Sequence, residues 1–159
     1  MSSLAKGLLI GCGVVAVLVA LGMLGIGIWL FTGPEGGVKL GNEMDRYALD
    51  YIAEHQLLEP GEKVLAYYDV TISMNGEEAA ILTPTRVLYH NHRETTSIDL
   101  ADIVDIRHRK EPLIGDILEI HATAGRSMKI EIAPLNQGES FKNVLMGAWR
   151  GATEPEAGS

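Results

Sequence analysis

Cysteine is almost absent from this chain. Cys12 is the only one among 159 residues, so no disulfide can form within the chain and the fold does not depend on an oxidising compartment. No Asn-x-Ser/Thr acceptor site occurs either. Basic residues are in short supply, with 13 Lys and Arg against 21 Asp and Glu, a net charge of −8. Such an excess repels phosphate backbones and excludes non-specific nucleic-acid binding. It also opposes adhesion to an anionic membrane surface, except through a local basic patch. The motifs of catalysis are missing too. There is no Gly-rich phosphate loop, no Gly-x-Ser-x-Gly elbow and no His-Glu-x-x-His. Ser73, Ser97, Ser127 and Ser140 stand in no nucleophile context. His90-Asn91-His92 reads as a pair flanking a turn, because a metal needs three or four converging ligands. His55, His108 and His121 fall in other elements. The chain is therefore expected to be no enzyme and to hold no cofactor or metal.

One more absence points to something present. No charged residue occurs from Gly7 to Thr32. Leu8–Phe31 is an apolar run of 24 residues, about 36 Å long as a helix and enough to cross a hydrocarbon core of about 30 Å with some tilt. Trp29 suits the interface, and Gly33-Pro34 ends the helix. A cleaved signal peptide would have a shorter apolar region ending at a small-x-small site. Leu9-Ile10-Gly11-Cys12 looks like a lipobox, but the five residues between Lys6 and Cys12 leave too little apolar region before it. The expectation is one transmembrane helix over residues 7–32, behind a short flank of residues 1–6. Gly7 and Gly11 are four apart, as are Ala16 and Ala20, which makes them a candidate helix-packing face. Lys6 on one side and Lys39 and Arg46 on the other leave the orientation undecided by charge.

The remainder, from Gly33, carries 12 basic and 21 acidic residues. Residues 33–41 are glycine-rich and read as a linker. Asn42 can cap a helix over about residues 42–57, whose apolar face is Met44, Tyr47, Ala48, Tyr51 and Ile52. Glu59-Pro60-Gly61-Glu62 is a turn. From Lys63 the period becomes two. Val64, Ala66, Tyr68, Val70 and Ile72 predict a long strand, closed by the hairpin signal Asn75-Gly76. Further strands are predicted over 78–83, 85–90, 95–100, 103–109, 117–123 and 128–132. Within the 103–109 strand, Val104 and Ile106 share one face. Phe141, Val144, Leu145, Ala148 and Trp149 then fall on one face of a helix that Gly151 terminates. Residues 151–159 read as a short disordered tail. Seven short antiparallel strands followed by one helix predict a bent sheet or small barrel, closed by that helix.

That order of elements resembles the pleckstrin-homology (PH) superfold. Three stretches resemble its bacterial PH-like members: Leu58-Glu59-Pro60-Gly61-Glu62-Lys63-Val64-Leu65, Leu82-Thr83-Pro84-Thr85-Arg86-Val87-Leu88-Tyr89 and Ser97-Ile98-Asp99-Leu100-Ala101-Asp102-Ile103. The resemblance covers roughly residues 57–150 and places the PH-like domain at 58–150. It implies a domain facing the cytoplasm from a bacterial inner membrane, and it specifies fold more than function. In eukaryotic PH domains, basic residues around the first hairpin bind phosphoinositides. Here that hairpin is Ser73-Met74-Asn75-Gly76-Glu77-Glu78, with two acids and no Lys or Arg.

The function expected from these readings is a membrane-tethered interaction module with a protein partner. Its candidate contact surfaces are strand edges and the groove beside the last helix. One alternative is recognition of anionic lipid headgroups by Arg107, Arg109 and Lys110, in the best basic cluster of the domain, Arg107-His108-Arg109-Lys110. Another is a structural homo-oligomer built through the glycine-rich helix.

Overall fold

The computed structural model describes residues 36–153, with Val19 alone ahead of them. The helix expected over 7–32 lies outside the described residues, as do Gly7, Gly11, Ala16 and Ala20. Among the described residues no helix is long and apolar enough to cross a membrane.

The chain forms strand β1 (Lys39–Leu40) and helix α1 (Arg46–Glu54), then seven strands. These are β2 (Ala66–Asp69), β3 (Glu78–Leu82), β4 (Arg86–Asn91), β5 (Glu94–Asp99), β6 (Ile103–Glu111), β7 (Gly115–Ala122) and β8 (Ser127–Ile132). Helix α2 (Gly138–Thr153) closes the domain. Strands β1–β5 make one antiparallel sheet in chain order, and β6–β8 make a second. The mainly β domain with a C-terminal helix is thus observed, folded as two sheets.

The inner faces of the two sheets meet in one core. Tyr68, Leu82, Val87 and Ile98 from the first sheet pack with Leu118, Ile120, Ile130 and Ile132 from the second. Phe141 and Leu145 of α2 are fully buried in the same core. The indole N–H of Trp149 donates to the Ile103 carbonyl at 3.1 Å and fixes the helix against the corner where β6 begins. A second apolar layer lies on the outer face of the first sheet. There Ala48 and Ile52 of α1, with Leu57, cover Tyr67, Ala79, Ile81 and Leu88.

Several local features differ from the sequence reading, each for a tertiary reason. The long strand expected to reach Ile72 stops at Asp69, and Ile72 is 95% exposed. The buried Asp69 carboxylate accepts the backbone N–H of Thr71 at 2.8 Å and of Gly76 at 2.8 Å. That pulls the chain into a wide turn in place of a two-residue hairpin. Gly76 is required there, because its φ is +79° and a Cβ would stand 2.9 Å from the Tyr51 ring. Asn42 does not cap α1, which begins after Asp45. The Gly41 N–H bonds Leu65 and the Glu43 N–H bonds Leu40, so residues 41–43 belong to the turn leaving β1. The stretch read as linker contains β1 itself, with Lys39 opposite Tyr67 and Leu40 opposite Ala66. Val104 does not share the inner face with Ile106. A bulge between Ile103 and Asp105 turns it outward, and Ile103 takes the core position. Helix α2 runs through Gly151 to Thr153, whose hydroxyl donates to the Trp149 carbonyl at 2.9 Å.

Candidate functional site

Strand β6 is an edge of the second sheet and pairs only with β7 among the described residues. Helix α2 packs beside it. Between them runs a groove of about 580 Å³. Ile106 and Met146 give it an apolar floor, and Lys142, Asn143 and Arg150 line its helix side. At Gly147 an added Cβ would meet no atom within 4 Å, so the helix leaves the groove open at that point. His108 forms the end wall. Its Nε2 is 2.8 Å from Asp116 Oδ1 on the neighbouring strand.

Asp116 is buried beneath the first turn of α2. A Cβ on Gly138 would lie 2.4 Å from the Asp116 Cβ, so glycine is what lets the helix start over this carboxylate. Glu139 approaches His108 at 4.0 Å. It is hydrogen-bonded to Lys142, which holds its carboxyl below the ordinary range. Ligand atoms of His108, Asp116 and Glu139 lie within 4.8 Å of one another. Two ammonium groups already attend these carboxylates, Lys142 on Glu139 and Lys110 at 3.8 Å from Asp116. A divalent cation would have to displace both, and the set reads as an ion-pair network that fixes the start of α2.

The basic cluster of the sequence divides between two faces of β6. Arg107 and Arg109 point outward together. Arg107 pairs with Asp105 at 2.8 Å, and Arg109 with Glu111 at 3.0 Å and with Glu119. Lys110 turns the other way, into a cavity beside Asp116. His90 and His92 also separate. His92 is exposed in the turn. His90 is buried, with Tyr51 Oη at 3.1 Å from Nε2 and Thr95 Oγ1 at 2.9 Å from Nδ1. Burial, then the nearby His55, holds its pKa below the ordinary histidine value. His55 stacks on Tyr51 at 4.0 Å. Sequence reasoning missed this trio and the pairing of His108 with Asp116. The spacing of Tyr51 and His55, one helical turn apart, carried a signal for the first. Only the β6–β7 register carries the second.

No family model and no curated protein matches the chain. Solved structures do. One is a DUF1696-family protein with a pleckstrin-homology domain from Shewanella loihica PV-4. It superposes with a TM-score of 0.52 at 8% identity, over 72% of this chain and 99% of that one. Another is the C-terminal domain of an unknown protein from Leishmania infantum, with a TM-score of 0.43 at 18% identity, over 65% of this chain and 93% of that one. The first likeness is one of fold alone: a PH-like fold of two sheets and a closing helix.

Proposed function

We propose that the chain is a single-pass membrane protein whose PH-like domain is a non-catalytic interaction module, binding an extended protein segment in the groove between β6 and α2. The groove carries this reading, because a free strand edge lies beside an apolar floor and a cationic helix flank. An added strand would hydrogen-bond the β6 edge, place apolar side chains on Ile106 and Met146, and set an acidic side chain near Lys142 and Arg150. The apolar run Leu8–Phe31 supplies the tether. Tethering confines the domain to the membrane surface and raises its effective concentration toward partners held there. The resemblance to bacterial PH-like proteins favours the cytoplasmic side of a bacterial inner membrane. Recognition of lipid headgroups ranks lower, since Arg107 and Arg109 already face carboxylates. Self-association through the membrane run stays a separate reading, decided by crosslinking.

The test is co-purification of the tagged full-length chain in mild detergent, read by mass spectrometry, beside Gly147→Trp. Tryptophan at that position fills the groove without entering the core. A stoichiometric protein that the variant loses supports the proposal. A partner retained by the variant moves the site elsewhere, and a wild-type chain recovered alone removes the protein-binding reading.

A further inference from the structure

Two loops leave one corner of the second sheet with bare apolar tips. In the β6–β7 loop Leu113 is 93% exposed and Ile114 is 39% exposed; in the β8–α2 loop Leu135 is 99% exposed. The sheet brings the loops together, for Asp116 at the start of β7 pairs with Ile132 at the end of β8. Gly115 makes the approach closer still, since a Cβ there would stand 2.1 Å from the Ile132 carbonyl. Pro112, Pro134 and Leu135 line a common cavity of about 600 Å³.

Leu135 is held outward. Its φ is +72° and that of Gln137 is +60°, left-handed values that side chains rarely adopt without a brace. The brace is Asn136. Its Nδ2 donates to Tyr68 Oη at 3.2 Å, and the Ala133 N–H donates to the same oxygen at 3.1 Å. Its carbonyl accepts the Val38 N–H at 3.0 Å. The chain therefore enters the domain at this loop, and Gly37 packs directly on Asn136. Phe31, the last residue of the apolar run, is five residues ahead of Gly36. Even fully extended, that stretch reaches only about 17 Å.

We infer that the tips Pro112–Ile114 and Pro134–Leu135 insert into the lipid interface. The inference rests on the tether proposed above. The partner is the interface itself, because the exposed groups are aliphatic and the charges around them are already matched. Glu111 pairs with Arg109, Lys110 with Asp116, and Glu139 with Lys142. Insertion of this kind draws on buried apolar area and not on anionic lipid. It is set apart from headgroup recognition by its indifference to salt.

The experiment uses the full-length chain with Cys12→Ser, reconstituted in phosphatidylcholine vesicles. Single labelling sites come from Leu113→Cys, Leu135→Cys and, as a control, Ala124→Cys. All three positions are exposed. Ala124 sits at the far end of β7 and β8, about 25 Å from Gly115 along the strand. An environment-sensitive dye at 113 and at 135 is expected to be quenched by brominated lipid at least about twofold more than at 124, equally at low and high salt. Labels at 113 and 135 as open to aqueous iodide as the control, in a chain that resists alkaline carbonate, overturn the insertion and leave the tether standing. A chain that carbonate extracts overturns the tether, and the insertion falls with it.

Discussion

The two sheets of this domain treat their faces differently. In the five-stranded sheet, β2 buries all four of its side chains and β3 buries four of five. In the three-stranded sheet, β8 keeps a two-residue alternation, with Met128, Ile130 and Ile132 inside and Ser127 and Lys129 outside. The cause is α1. It covers the outer face of the first sheet, whereas the outer face of the second carries ion pairs in water around the buried Ile117. In β3 the alternation is lost because a second layer covers it, so the run Ala79–Leu82 records a partner on each side.

The largest effect expected is the difference between the two apolar layers. Phe141→Ala empties the place where α2 closes both sheets, and should cost about 4 kcal/mol. Ile52→Ala thins only the outer layer, and should cost about 2 kcal/mol. Urea unfolding reads both. Equal costs would mean that α1 is as integral to the domain as the inner core.

The next effect concerns a shielded ion pair at the first sheet. Arg86 holds Glu62 through two bonds, Nε to Oε1 at 2.9 Å and a terminal nitrogen to Oε2 at 2.6 Å. Glu62 also accepts the Glu59 N–H at 3.0 Å. The Arg86 hydrogen bonds lower the Glu62 pKa from 4.5 to about 2. A depressed carboxyl stabilises the fold above its unfolded value, and that stability fades as pH falls from 4.5 to about 2. Glu62→Gln should cost about 2 kcal/mol at neutral pH. The gap between variant and wild type should close across that acid window in pH-dependent unfolding. A gap that persists at the lowest pH would assign the effect to packing.

The smallest effect is expected on the wet face of the second sheet. Arg109 lies between Glu111 and Glu119, yet all three are solvated. Arg109→Ala should leave the thermal midpoint within the scatter of surface substitutions. A calorimetric drop as large as that of Glu62→Gln would show that these pairs act as a network and would erase the contrast between the sheets.

The same contrast explains what could be read from the sequence. Leu118, Ile120 and Ala122, and then Met128, Ile130 and Ile132, are buried in the core as their spacing predicts. The closing helix shows its buried Phe141 and Leu145 in the same way. What could not be read depends on partners distant along the chain. The end of β2 is set by one carboxylate reaching a glycine seven residues on. The turn at residues 41–43 is held by a bond from Gly41 to Leu65, and β1 exists because Tyr67 and Ala66 offer it an edge. At the candidate site a groove beside the last helix is expected from the sequence, and one lies between β6 and α2. Its chemistry could be read only in part. His108 meets Asp116 only through the β6–β7 register, whereas the parting of Arg107 and Arg109 from Lys110 follows from strand alternation alone.

Strand β1 has a mechanical meaning. It joins the domain through two residue pairs, Lys39 with Tyr67 and Leu40 with Ala66, through the Val38–Asn136 and Gly41–Leu65 backbone bonds, and through the buried Val38 side chain. A pull on the chain ahead of Gly36 loads these few bonds in series before it reaches the core. Load there would peel β1 away and bare the edge of β2 while the two packed sheets stay intact, so tension on the chain would become an open strand edge.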